Sequence, residues 1–485
     1  MNVKQLEKKL SGYKFLPEGG RACFFYPHYE IIRQMSKPGF PWSANYKEID
    51  TSFGSYSKNH IVEWYFISSD EKHYINFIER YIKNPKLLED LKKYADDLKN
   101  KITKLVDKDF FKRSNEDLGN ILSEYYDLYQ ELFKGSVTLR TLDRGIVMSV
   151  RQRHPEEKAD EILRNITISD KPTVSLKEEL DVLNLALKLN KEHKTIESLR
   201  GKLGIKKLLK KYAWSILGYY KEQPNTEGTF EKRVSDLMKE NPEVLLNNLQ
   251  ERIAEDRIKR DKLLMGLSSE EKKIAFIASE TPYLKDYVKS KINEAQYYAE
   301  PLFIEIAKRI KKSLEYIKDL MIEEVKRLLA GGSVDDSIIK ERTKENFIIS
   351  LNGEVFVLVG SDAGYINNKC VGDTFNADSE EFKGRVASLG YAKGLVKVVY
   401  DVGDFHKVQA GDILVVINTS PDFIPVIRKA GAIVAEEGGL TAHVSVVSRE
   451  FGVPCIVGVK GATSLLKDGD LVEVNANKGI VRKIK

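Results

Sequence analysis

The chain is poor in the residues that build cross-links and metal sites. Its 485 residues include 3 Cys and 7 His. Cys23, Cys370 and Cys455 form no CxxC pair and no metal-type spacing. That pattern excludes a disulfide framework, predicts no metal centre and suits a reducing cytosol. No GxxxxGK[ST] loop is present, which excludes a P-loop nucleotide site. No apolar run is long enough to span a bilayer, and Met1 to Leu10 is charged with no signal-like core. A cytoplasmic protein that does not engage a membrane is expected. The 78 Lys+Arg against 72 Asp+Glu give a formal net charge of +6. Acids are interleaved with the bases, so no nucleic-acid partner is expected. Internal repeats and low-complexity tracts are also missing.

What is there divides by glycine. Of the 32 Gly, 17 lie from Glu345 onward, in under a third of the chain. Before that point, Leu87, Leu88, Leu91, Tyr94 and Leu98 recur at helical spacing between lysines and acids. Glu116 to Phe133 repeats the pattern behind Ser114, a candidate cap. Further helices are predicted at Leu176–Leu189, Ile205–Tyr220, Phe230–Lys239 and Val244–Leu263. A long one runs from Tyr283 to Leu329, kinked or broken near Pro301. Residues 1–75 read as an irregular segment, rich in aromatics such as Phe24, Tyr26, Trp42 and Trp64, that packs on the helical domain. Residues 76–375 read as a mainly helical acceptor or connector domain ending in a β-hairpin over Asn346–Val359, with Asn352-Gly353 at its turn. Residues 376–383 are polar and read as a linker. Residues 384–485 form the last domain, with strands at Leu395–Tyr400, Ile413–Ile417, Ala432–Ala435, Cys455–Val459, Leu471–Val474 and Ile480–Ile484. Helices alternate with them at Phe423–Ala430, Thr441–Glu450 and Ala462–Leu466.

Within that domain one stretch carries chemistry: Glu436-Glu437-Gly438-Gly439-Leu440-Thr441-Ala442-His443-Val444-Ser445-Val446-Val447-Ser448-Arg449. A short buried strand precedes it, the glycines allow a tight turn, and Thr441 is a candidate cap for the next helix. His443 then falls in the first helical turn, where N–H groups and the helix dipole favour an anion. Neutral imidazole is nucleophilic at physiological pH, so a histidine here is suited to carry a phosphoryl group. Gly438, Gly439 and Thr441 are candidate phosphate-binding positions. Arg449 is a further candidate for pairing with phosphate, or a structural or interdomain residue, because six residues on it is not on the same helix face as His443. Glu436 and Glu437 read as residues that orient the turn.

This motif resembles the mobile phosphohistidine domain of PEP-utilising enzymes, the family of phosphoenolpyruvate synthase, pyruvate phosphate dikinase and rifampin phosphotransferase. Gly438, Gly439, Thr441, His443, Ser445, Val446, Val447, Ser448 and Arg449 stand at its motif positions. Val444 departs, standing where Ala, Ser or Thr is usual. The segments Gly384–Gly394, with Leu389 in place of a usual Pro, and Ser420-Pro421-Asp422-Phe423-Ile424-Pro425 also look like the family's. The resemblance implies a multidomain protein: a large mainly α-helical N-terminal region, then a C-terminal swivelling β/β/α phosphohistidine domain. It implies a phosphotransferase in which His443 is the phosphorylated intermediate.

Nothing N-terminal resembles an ATP-grasp domain or a phosphoenolpyruvate/pyruvate barrel, so no cofactor is assigned to this chain. The implied arrangement is split: Mg-ATP or phosphoenolpyruvate is the phosphoryl donor through a partner, an ATP-grasp-type subunit, and a small-molecule acceptor binds near the helical domain. Two alternatives stay open. One is a subunit of a split phosphoenolpyruvate synthase (pyruvate, water dikinase). The other is a non-enzymatic, phosphorylation-dependent regulator or scaffold.

Overall fold

The run from Asn115 to Arg151 is one helix. Ser114 starts it with a capping box: its hydroxyl accepts the Asp117 N–H, and the Asp117 carboxylate accepts the Ser114 N–H. The structure is a computed structural model that describes residues 3–11, 14–22, 52–58, 61–68, 72–106, 109–193, 203–217, 223–351, 354–370, 380–419, 423–440 and 442–484. Most of these residues are helical, and a sheet-containing unit closes the chain.

Opposite the Asn115–Arg151 helix lies Ser269–Ile310, 42 residues long. Gly135 sits against Val288, and the rings of Tyr125 and Tyr126 meet Phe303 edge-on at 5.8 and 6.0 Å. The two helices therefore run antiparallel. Lys72–Lys83 and Lys86–Val106 complete this core with Ile78, Leu91, Leu98 and Ile102. Of the kink or break expected near Pro301, the helix shows no break. The helix passes through both Pro282 and Pro301 and ends at Lys311, whose backbone is left-handed. A proline inside a helix costs about 3 kcal/mol. Here the flanking Leu302, Phe303 and Ile306 are all buried, and each such side chain contributes about 1.5–3 kcal/mol, so packing prevails. A second helical layer, Val174–Lys191, Leu203–Tyr212, Glu227–Lys239 and Pro242–Met265, packs around Val182, Ala186, Phe230 and Val234.

Within residues 1–75, where a strand is expected over Ile61–Ile67 in an otherwise irregular segment, the structure places helix Val3–Leu10 and three strands: β1 (Lys14–Ala22), β2 (Ser52–Lys58) and β3 (Ile61–Ser68). The hairpin appears as β4 (Glu345–Leu351) and β5 (Glu354–Val359), with its turn outside the described residues. It does not stand with the helices alone. All five strands form one antiparallel sheet in the order β1-β3-β2-β4-β5. Pairing between segments some 290 residues apart leaves no local periodicity, which is why the sequence concealed it. Phe24, Tyr26 and Trp42 lie outside the described residues.

The C-terminal unit holds β6 (Glu381–Lys383), β7 (Arg385–Ser388), β8 (Tyr391–Val398), β9 (Ile413–Val416), β10 (Ala432–Ala435), β11 (Cys455–Val457), β12 (Leu471–Asn475) and β13 (Ile480–Lys483). Their order is β6-β13-β12-β8-β9-β10-β11-β7. Strands β8 to β11 run parallel to one another, and the outer ones are antiparallel. Glu381–Lys383, read from sequence as the end of a linker, is instead paired with β13. β9 and β10 are buried throughout, as parallel strands covered on both faces must be.

Gly145 tests the helical core. A Cβ there would lie 2.5 Å from the Tyr74 carbonyl and 3.1 Å from Ile78 Cβ. Gly145→Ala is expected to lower stability by about 1–3 kcal/mol, read by denaturant unfolding of the full chain.

Candidate functional site around His443

The site forms at the carboxyl ends of the parallel strands, where open α/β sheets place their ligand crevices. Beyond β9 and β10 the ladder continues: Glu436 N–H donates to Val416 O at 2.9 Å and Glu437 N–H to Ile417 O at 3.0 Å. These bonds hold the loop after β9 beside the loop after β10. Gly438 has a φ of 115°, a conformation glycine takes without strain, and turns the second loop. Ala442 N–H then donates to Gly439 O at 3.0 Å, and the helix His443–Phe451 begins.

Ala442 is the N-cap and supplies no side-chain hydrogen bond. The expected Thr441 cap is thus displaced by one residue; Thr441 itself lies outside the described residues. His443 is the first helical residue. The first intrahelical bond runs from Val446 N–H to Ala442 O, so the N–H groups of the first turn have no intrahelical acceptor. An uncapped helix start at this edge offers donors to an anion. Ser445 is buried and ties the turn down by donating its hydroxyl to Gly439 O at 2.7 Å.

Thr419 was missed by sequence reasoning. Its Oγ1 lies 2.9 Å from His443 Nδ1. It ends the loop after β9, just before the Ser420-Pro421-Asp422 turn, which itself lies outside the described residues. The signal was available: a hydroxyl residue between a buried strand and that turn. His443 Nε2 is shielded from solvent in this arrangement.

The two glutamates orient the loops. Thr463 donates both its N–H, at 2.5 Å, and its hydroxyl to Glu436, and Asn418 Nδ2 donates to Glu437 at 3.3 Å. Gly438, Gly439 and His443 are brought together in one turn. Arg449 is not placed with them. It donates to Leu440 O at 2.9 Å, to Ala387 O at 3.4 Å and to Thr167 Oγ1 at 3.3 Å. Its guanidinium fixes the far side of the loop and reaches into the helical region, which is the structural and interdomain placement of the two considered for it. Burial lowers its pKa to about 10. Burial also pushes the Cys455 thiol up to about 12, so it is no nucleophile.

Residues 408–479 match the model of the PEP-utilising enzyme mobile domain. The carboxy-terminal unit is a mobile domain of that family. The chain is 36% identical over 212 residues to a probable phosphoenolpyruvate synthase of Archaeoglobus fulgidus, covering 41% of this chain and 28% of that protein. It is 48% identical over 101 residues to the phosphoenolpyruvate synthase of Pyrococcus furiosus, covering 21% of this chain and 12% of that protein. The chain thus spans well under a third of either relative. The first match is longer than the mobile domain and includes part of the helical region. A solved structure, aconitase X of Thermococcus kodakaraensis, aligns over 22% of this chain and 100% of that one at 26% identity, with a TM-score of 0.19. No helix among the described residues is long and apolar enough to cross a membrane.

One carboxyl beside the site titrates unusually. Burial, together with Asp286 and Asp256, pushes Glu450 up to about 8 against the pull of Arg449. The folded chain therefore binds a proton that the unfolded chain has released above about pH 4.5. Stability from this group is full below that pH and lost as pH rises toward 8. Glu450→Gln is expected to flatten the fall in melting temperature between about pH 5 and 8, read by thermal unfolding across that range; an unchanged slope counts against it.

Proposed function

We propose that the chain is a phosphotransferase component in which His443 Nε2 carries the phosphoryl group. The observation that supports this most directly is the placement of His443: first residue of an uncapped helix, with Nδ1 held by Thr419. When Nδ1–H donates to the threonine oxygen, Nε2 bears the lone pair. Nε2 then attacks phosphorus, the bond to the donor's leaving oxygen breaks, and the phosphoramidate forms. Its oxygens meet the first-turn N–H groups and the Gly438-Gly439 turn, a preorganised set of donors. Thr419 is a positioning residue that fixes the tautomer and the ring.

In this reading residues 384–485 act as the swivelling phosphohistidine domain. The donor is Mg-ATP or phosphoenolpyruvate, used by an ATP-grasp-type partner, and the acceptor is a small molecule bound near the helices. A second reading, part of a split phosphoenolpyruvate synthase, is favoured by the names of the relatives and by a match that extends beyond the mobile domain.

The test is phosphate incorporation into the full chain. ATP labelled separately at the β and γ positions, and phosphoenolpyruvate, are each offered with Mg²⁺, with and without lysate of the source cells. Acid-labile label on wild type and none on His443→Ala is expected. No label on wild type under any condition refutes the carrier role. Thr419→Val is expected to slow labelling by about 10- to 100-fold while leaving the label on histidine; wild-type kinetics in that variant would refute the positioning role.

A further inference from the structure

The C-terminal unit rests on the second helical layer through an ion cluster that has no role in the chemistry above. Glu178 and Glu179 lie on helix Val174–Lys191, and Glu179 has a side chain only 2% exposed. Arg233, from helix Glu227–Lys239, pairs with both, at 3.0 Å to Glu179. Two buried carboxylates facing one guanidinium leave one negative charge uncompensated, which is costly in a poorly solvated place. The missing positive charge comes from the other unit. Arg428, just past helix Ile424–Ile427, places Nη1 3.3 Å from Glu179 and Nη2 2.8 Å from Glu240.

Around this cluster the contact is tight, and the apolar core of the C-terminal unit is continuous with that of the helices. Arg449 donates to Thr167 Oγ1, and Arg164 donates to Val386 O at 3.2 Å. Arg252 lies so close on Gly452 that a Cβ there would meet its guanidinium carbon at 1.9 Å. Phe451 packs against the core of the second helical layer. A charge cluster of this kind fixes the position of one unit on the other.

We propose that Glu178, Glu179 and Glu240 form an acidic socket whose ligand is Arg428 of the same chain, and that this socket parks the C-terminal unit in a resting position. The proposal rests on the carrier reading in so far as that reading gives the unit a reason to move. Parking and reaction are then alternatives. A donor must reach His443 Nε2, which is shielded from solvent in the parked arrangement, so something must shift first. When the unit leaves, Glu179 meets water and no longer needs the second guanidinium. The socket therefore releases Arg428 without leaving a buried charge behind.

Small-angle scattering of the full chain tests this, with circular dichroism to confirm folding. Wild type is expected near the roughly 23 Å radius of gyration of a compact chain of 485 residues. Arg428→Glu is expected to raise it by about a tenth or more as the unit detaches. Glu240→Arg, a change at the rim that leaves the buried pair intact, is expected to raise it less. The double variant Arg428→Glu/Glu240→Arg restores an attractive pair and is expected to return toward wild type. An unchanged radius in folded Arg428→Glu, or no recovery in the double variant, overturns the socket. No phosphoryl donor enters the measurement. Failure of His443 to take label alongside a responsive radius would remove the carrier reading and leave the socket, and the reverse pattern would remove the socket alone.

Discussion

The site depends on two backbone hydrogen bonds beyond the ends of β9 and β10. Glu436 N–H to Val416 O and Glu437 N–H to Ile417 O carry the parallel ladder two residues past the strands. They bring together two loops that are separate in sequence, one bearing Thr419 and the other His443. Everything chemical follows from that adjacency. The imidazole gains a hydroxyl partner on Nδ1, and the turn at Gly438 aims the next helix start at the crevice. The buried valines and isoleucines of β9 and β10 fix the register of those bonds, so the core of the sheet and the geometry of the histidine are one constraint.

Much of this was legible in the sequence. Ala432–Ala435 has the same bounds as β10, and His443 falls in the first helical turn as its spacing predicts. These features are local: a short apolar run, a glycine pair, then a helical pattern. What was not legible is non-local. Thr419 acquires its role from a contact across 24 positions. The pairing of β2 with β4 joins Phe53 to Ser350. Two roles stayed open for Arg449, because nothing nearby in sequence shows that Leu440 O and Thr167 Oγ1 use its donors. At Pro301 the helix continues because burial on both sides of the proline offsets its backbone cost.

The helical region gives the mobile domain something to work against. The chain spans well under a third of the relatives it resembles, so the helices cannot be assigned by the relatives' names. Their form is informative nonetheless. The Asn115–Arg151 and Ser269–Ile310 helices share a dense aromatic and aliphatic seam, a rigid frame. The second layer is smaller and carries the acidic residues that meet Arg428.

The meeting of Arg428 with those acidic residues bears on how a histidine can serve two sites. On the reading proposed above, a phosphoryl group on Nε2 is accepted in one place and surrendered in another, and its donors would be backbone groups of the C-terminal unit itself, so they need no rebuilding at either station. What must differ between stations is the contact of the unit with its surroundings. Such contacts suit the purpose when they are specific in position and modest in net strength, because a charge pair that is satisfied when docked and hydrated when free gains direction at little cost in affinity. Arg428 and Glu240 meet that description, since the partly exposed Glu240 carboxylate is hydrated in either state. The contact is not purely ionic, because the apolar core of the C-terminal unit is continuous with that of the helices. The charge pair therefore supplies direction, and the apolar contact supplies area.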